Sequence, residues 1–328
     1  MKRSTERAQA VLLSRLAECV YWAGRYLERS EASARLIKVH TELFLDLPRS
    51  AGLTWTPLLA VTGSRDRYAI RHTDASEDDV VSYLVVDADN PGSIVTSVGQ
   101  ARHNMRVTRG MFPRQAWEEV NDLHFWVLDT CAQAVDRRTR LGWTDQIIHR
   151  CQLLAGLISG MMSRDASYSF LEVGRFVERA DMTTRVLDVQ AEVLISRRDD
   201  DPYADVTWMS VLRSVAAAQS FRARVPGGAS GPAALRFLIS DSQFPRSVEH
   251  CLIEVSRALI ELPNHEEPMA ACAWVQAMLE EVDAGGLDGT ALHHLVDDLQ
   301  KGIARVHDLV AESYFRVAST DLAVLAAR

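Results

Sequence analysis

Apolar residues recur at helical spacing along nearly the whole chain. From Val11 the period runs to Leu47, where Pro48 ends it, and Ser14 is the expected N-cap. Residues 1–10 are polar and expected to fray. Trp55-Thr56-Pro57-Leu58-Leu59 suits a short helix starting at Pro57, Gly63 to Asp66 a loop, and Asp74 to Asp79 an acidic helix start. Asn90-Pro91-Gly92-Ser93 then caps a long helix, Ile94 to about Arg109, which Phe112-Pro113 breaks. A further helix is expected from Arg114 to about Arg140. Gly142-Trp143-Thr144-Asp145 reads as a turn and N-cap leading into Gln146–Met162.

The second half repeats the first. Gly24-Arg25-Tyr26-Leu27-Glu28-Arg29 returns 150 residues later as Gly174-Arg175-Phe176-Val177-Glu178-Arg179, and residues 24–42 share seven identities in nineteen positions with 174–192. Met162-Ser163-Arg164 matches Leu13-Ser14-Arg15 at offset 149, Trp208 matches Trp55 at 153, and Pro245-x-Ser247-Val248 matches Pro91-x-Ser93-Ile94 at 154. Tyr83-Leu84-Val85-Val86-Asp87 has the β-branched content of a strand. Its counterpart Phe237-Leu238-Ile239-Ser240-Asp241 places a polar serine at the Val86 position, so a helix end is expected instead. The period is far longer than a solenoid repeat. It predicts an all-α fold: one domain over 1–328, built as a tandem-duplicated helical bundle. Its two units of about 150 residues, 11–160 and 161–328, would pack with pseudo-twofold symmetry.

The charged residues repeat best, which a core alone does not require. At about 100° per residue, Arg25, Glu28, Arg29 and Arg35 share an arc of about 120°, opposite an apolar stripe of Ala23, Tyr26, Leu27, Ala34 and Ile37. A solvated face would need no such repetition. Arginine offers a rigid planar fork for carboxylate or phosphate, so a functional or buried face is expected. Arg102, Arg106 and Arg109 form a second basic stripe whose counterparts, Ser256, Ile260 and Pro263, are not basic. That asymmetry suits a single anion site on a repeated scaffold.

Composition narrows the class. The 328 residues are 47% hydrophobic and 24% charged, enough to bury a full core. The net charge of −8, with no long Lys/Arg run, argues against nucleic-acid binding. Five scattered cysteines without a CxxC fit reduced thiols better than a disulfide frame or zinc site. Charges interrupt every early apolar run, so neither a signal peptide nor a membrane span is expected, and a cytoplasmic location is. No Glu-x-x-His occurs, which excludes a di-iron bundle, and no phosphate-cradling glycine loop or nucleophile elbow is present. No intrinsic cofactor or metal is expected.

The motifs Gly24 to Glu31, Asn90-Pro91-x-Ser93-Ile94, Ala101-Arg102-x-Asn104 with Arg106 and Arg109, Trp117-Glu118-x-x-Asn121, Met162-Ser163-Arg164-Asp165, Gly174 to Asp181 and Phe244-Pro245-Arg246-Ser247-Val248 run in order through the chain. Together they resemble the bacterial alpha-E proteins, helical proteins named for a Glu-Arg motif. His103-Asn104-Met105 departs from the common Glu-Asn-Ala, as does the Arg-rich Met1–Ala10 stretch. The resemblance implies a protein encoded beside a circularly permuted ATP-grasp protein and often a transglutaminase-like peptidase. Such a neighbourhood points to amide chemistry on a peptide or small amino compound.

Two functions are consistent with these residues. In one, the chain is the helical partner of an ATP-grasp ligase and holds an anionic substrate or intermediate. Arg25, Arg29, Arg35, Arg102, Asn104, Arg106, Arg109, Arg164, Arg175, Arg179 and Arg185 are then the binding candidates, Glu28 and Glu178 the acid–base candidates, and any ATP comes from the partner. In the other, the Arg/Glu faces are a buried ion network in a non-catalytic scaffold.

Overall fold

The computed structural model describes residues 2–196, 203–226, 230–281 and 289–316, with side chains of 2–13 and 190–196 excepted. Residues 317–328 of the expected second unit therefore lie outside the described residues, as do the side chains of 190–192 in the repeated stretch.

Among the described residues every regular element is helical. The first half comprises α1 (Lys2–Asp46), α2 (Thr56–Val61), α3 (Arg65–Ala69), α4 (Glu77–Val85), α5 (Ile94–Val107), α6 (Arg114–Thr130), α7 (Ala132–Val135) and α8 (Arg140–Met161). The second comprises α9 (Ala166–Ser196), α10 (Ala204–Ser214), α11 (Ala218–Arg224), α12 (Gly231–Ser240), α13 (Val248–Leu259), α14 (Glu266–Glu280) and α15 (Gly289–Val310). A π-helical turn, Ala311–Phe315, follows α15.

Several starts and stops follow local chemistry. Ser93 accepts from the Thr96 amide at 3.2 Å and Ser247 from the His250 amide at 3.1 Å, so both Pro-x-Ser turns cap the helix after them. Pro57 lies in the first turn of α2, where its missing N–H costs nothing. Tyr83 to Val85 close a helix and not a strand.

Three boundaries differ from expectation. The helix expected from Arg114 to about Arg140 ends at Thr130, and the four-residue α7 follows it. α1 begins at Lys2, so Ser14 lies inside a helix and caps nothing; no proline or glycine precedes it to stop the helix. Gly142 to Asp145 are helical as well, and the turn falls at residues 136–139. Arg140 sets that position. Its side chain is wholly buried, and its Nε and Nη2 donate to the carbonyls of Ala134 and Val135, both at 2.8 Å. Nη1 pairs with Glu77 at 2.5 Å. The chain must turn before residue 140 to supply those two carbonyls.

The two longest helices pack against each other at the centre. α1 is flanked by α5 and α8, with α6 bridging them, and α9 by α13 and α15, with α14 bridging those. Each short helix after a long one crosses over: α2 packs on α9, and α10 on α1. Burial is accordingly all round. Val20, Tyr21, Ala23, Ala34 and Ile37 are fully buried on α1, and so, nearly, are Arg25, Glu28 and Glu31.

Glycines set the distance between α1 and α9. A Cβ on Gly24 would lie 2.4 Å from the Leu171 carbonyl oxygen, and one on Gly174 would lie 2.1 Å from the Tyr21 carbonyl oxygen. Only hydrogen at both positions lets the backbones meet. That close crossing puts the repeated charged arcs face to face.

Candidate functional site

One turn beyond the glycines, each long helix offers a glutamate to the other's arginines. Arg25 Nε donates to Glu178 Oε2 at 2.6 Å, and Arg29 grips the same carboxylate with Nε at 2.6 Å and Nη2 at 3.0 Å. In the reciprocal direction Arg179 forks onto Glu28, Nε at 2.9 Å and Nη2 at 2.8 Å. Arg246, from the turn before α13, adds Nη1 to Glu28 and Nη2 to Glu31 at 2.9 Å. Arg35 holds Glu31 at 2.5 Å. Arg175 stands 4.0 Å from Glu28 and bonds Glu172 at 2.9 Å.

Burial alone would push both central carboxyls up. For Glu178, Arg25 and Arg29 more than offset it and hold the group down at about 2. Arg179, Arg246 and Arg175 likewise hold Glu28 far below the usual carboxylate range. Burial would weaken the protonation of Arg25 and Arg246, but Glu178 and Glu28 raise both instead. Glu28, Glu178, Arg25 and Arg246 are therefore all charged near neutrality.

Beside this network lies an open cavity of about 220 Å³. Arg29, Arg67 and Arg185 supply its cations, Glu178 and Asp181 its carboxylates, and Ser33, Ser64 and Asn90 neutral polar groups. Gly63 and Gly92 form part of its wall. Gly63 is left-handed, φ 62°, and a Cβ there would meet Arg185 Nη1 at 2.8 Å, so glycine leaves this guanidinium its place. Arg185 is anchored by Asp181 at 2.9 Å and is one-third exposed. Arg29, though bound to Glu178, remains a quarter exposed.

The other residues singled out from sequence lie elsewhere. Arg102 bonds Asn121 at 2.9 Å and sits over Phe125, 5.1 Å from the ring centre. Arg109 lies over Trp117 at 5.5 Å, so both arginines face α6. Arg106 is exposed, and Asn104 is buried, its carbonyl accepting the Thr108 hydroxyl. Arg164 bonds the Ser159 carbonyl and stacks on Tyr168. None of these five lines the cavity. Sequence reasoning passed over Arg67, Asp181 and Arg246 as site residues. Asp181 lies in the repeated Glu-Arg stretch and Arg246 in the Pro-x-Ser turn, and the signal for Arg246 is a difference: it stands where the first half has Gly92.

Among the described residues, no group of three or more His, Cys, Asp or Glu side chains is placed to hold a metal ion. No helix of the described residues is long and apolar enough to cross a membrane. All five cysteines are unpaired, and burial pushes the Cys251 and Cys272 thiols up to about 12, far from a reactive thiolate.

Uncharacterized proteins of Mycobacterium bovis and Mycobacterium tuberculosis are 24% identical to the chain over 315 residues, covering 85% of it. The chain spans about a third, 34%, of those relatives' length. No solved structure matches it. The family model described as "a predicted alpha-helical domain with a conserved ER motif" matches residues 12–315. That covers most of the chain, with Glu28-Arg29 and Glu178-Arg179 both inside it, and the chain belongs to the Alpha-E family.

Proposed function

We propose that this chain is the substrate-holding helical partner in an ATP-grasp amide-ligation or peptide-modification system, with its ligand site in the cavity beside Arg29. The observation that carries the binding part is the cavity: three arginines border one open space of about 220 Å³, next to a network with more guanidinium than carboxylate groups. Such a space suits a carboxylate or phosphate, which arginine grips through two parallel hydrogen bonds. The reaction class rests on the family resemblance, and ATP would come with the partner. A transglutaminase-like peptidase is the other expected neighbour.

Within that reading Glu28 and Glu178 position arginines and do not transfer protons. A carboxylate held near 2 by two guanidinium groups is a very weak base at neutral pH.

We also infer that the chain is a tandem duplication of units 11–160 and 161–328 with pseudo-twofold symmetry. Reciprocity supports it: Gly24 abuts Leu171 as Gly174 abuts Tyr21, and Glu28 takes Arg179 as Glu178 takes Arg29. Gly63 and Ala216, 153 residues apart, are both left-handed, with φ of 62° and 54°. The crossing of α2 onto α9 and of α10 onto α1 fits the same relation.

Calorimetric titration with phosphate, glutamate and a short acidic peptide tests the cavity, comparing wild type with Arg67→Gln and Arg185→Gln. Losing a charge-assisted hydrogen bond costs about 1.5–3 kcal/mol, so affinity should fall roughly tenfold or more in each variant. Equal binding in all three proteins would remove the cavity from the function. Gel filtration with the neighbouring ATP-grasp protein tests partnership separately. A complex without any anion binding would favour the scaffold reading, which the reciprocal ion pairs also support.

A further inference from the structure

The cavity beside Arg29 has a filled counterpart in the same chain. Gly92 and Arg246 are 154 residues apart in sequence, each the middle residue of a Pro-x-Ser turn whose serine caps the next helix. Glu178 and Asp181 stand 150 residues after Glu28 and Glu31. In the second half's turn, the Arg246 guanidinium bridges Glu28 and Glu31 and occupies the space between them. In the first half's turn, Gly92 has no side chain, and Gly92, Glu178 and Asp181 border the open cavity.

Acceptor capacity points the same way. Glu28 Oε1 takes two donors, Arg179 Nε and Arg246 Nη1. Among the described residues Glu178 Oε1 takes one, Arg29 Nε. A carboxylate oxygen carries two lone pairs, so Glu178 Oε1 keeps one where Glu28 Oε1 receives Arg246, although each carboxylate accepts three donors in all among the described residues, Arg25 falling on Glu178 Oε2. Among the described residues the Asp181 side chain accepts only from Arg185, through Oδ2, whereas Glu31 Oε1 accepts from both Arg35 and Arg246.

We propose that the cavity seats a cation carried by the ligand, a guanidinium or primary ammonium group, between Glu178 and Asp181, as Arg246 is seated between Glu28 and Glu31. This rests on the reading of the cavity as a ligand site and narrows it. With an anionic group on Arg67 and Arg185, the ligand is a zwitterionic amino compound, such as an amino acid or a peptide end. The chain's own Arg246 is the template for the cationic half.

Methylguanidinium and inorganic phosphate serve as separate probes in calorimetric titration of the full chain. Gly92→Arg should abolish methylguanidinium binding by filling the seat. It should also fold, because a Cβ at Gly92 meets only Asn90 Oδ1, at 3.4 Å, and the residue is outside the left-handed region. Asp181→Asn should weaken methylguanidinium at least tenfold and move phosphate the other way, since Arg185 loses its carboxylate. Phosphate binding without methylguanidinium binding overturns the cation seat and leaves the anion reading standing. Methylguanidinium binding unchanged in Gly92→Arg places the cation elsewhere and overturns the proposal. Binding of neither probe overturns both readings.

Discussion

Replacing either crossing glycine by alanine sets two effects against each other. In an exposed helix interior Gly→Ala stabilises by about 0.5–1 kcal/mol. At Gly174 the new Cβ would sit 2.1 Å from the Tyr21 carbonyl oxygen, and at Gly24 2.4 Å from that of Leu171. Both obstacles are backbone, so no side chain can swing away and α1 must withdraw from α9 by about 1 Å. The ion pairs one turn on cannot follow. Arg25–Glu178 and Arg29–Glu178 start at 2.6 Å and Arg179–Glu28 at 2.8 Å, and an added ångström takes each beyond hydrogen-bond range. A buried charge left without its partner costs about 3–5 kcal/mol. Each single variant should therefore lose about 3 kcal/mol net, a fall of roughly 5–10 °C in melting temperature. The two obstacles share one crossing, so Gly24→Ala/Gly174→Ala should cost clearly less than the sum of the singles. Gly156→Ala is the control, exposed on α8 with nothing within 4 Å of its Cβ, and should gain stability. Urea denaturation of the four variants decides the matter. A crossing glycine whose alanine variant behaves like Gly156→Ala would refute the close contact and the symmetry built on it.

Two other outcomes follow from the same seam and its surroundings. Glu178→Gln should destabilise by about 3–5 kcal/mol, because Arg25 and Arg29 lose their counter-charge, while Arg29→Met/Glu178→Leu should cost less than the two singles together; additive losses in chemical denaturation would argue that the pair is not a coupled buried unit. Burial holds His40 down at about 4, against the upward pull of its bond to the Thr54 carbonyl, so the unfolded chain takes up the proton first. Stability from this group is complete above about 6.5 and is lost as pH falls toward 4, with the loss from Glu178 following from about 4.5 down toward 2. Melting temperature followed from pH 7 to pH 4 should fall less steeply in His40→Phe; an unchanged slope would rule His40 out as a source.

Helices were legible in the sequence because apolar spacing is a local property, and the alternation of long and short helices followed from prolines and capping serines at Ser93 and Ser247. Boundaries failed where a distant group intervened: Gly142 to Asp145 have turn-forming side chains, but the carbonyls Arg140 needs lie before residue 140. The charged arcs were visible as arcs. That they form a buried ion network was one of the two readings the repeat allowed; which arginine takes which glutamate was not legible, since Glu28 and Arg29 pair with Arg179 and Glu178 on a helix 150 residues away. Arg102 and Arg109 show the same limit: both turn to α6, through Asn121 and Trp117, and not to the cavity, and Arg109 lies beyond the end of α5 at Val107 and so off the helix face expected for it.

Identity between the halves marks residues that need each other across the seam, because in a reciprocal crossing each residue must serve the same neighbour twice. Glycine opposite backbone and glutamate opposite arginine are such pairs. A ligand site has no reason to be reciprocal, and it needs unfilled space where its counterpart is full. One position that separates the two halves here is Gly92 against Arg246, a difference amid matched prolines and serines. A search for identities discards that position, whereas in the folded chain it separates a closed ion network from an open cavity. Transplanting the arginine should accordingly convert the first half into a copy of the second: in Gly92→Arg the cavity should close and the melting temperature hold or rise. An open cavity or a lower melting temperature in that variant would mean that the two turns are alike in sequence but not in what they can hold.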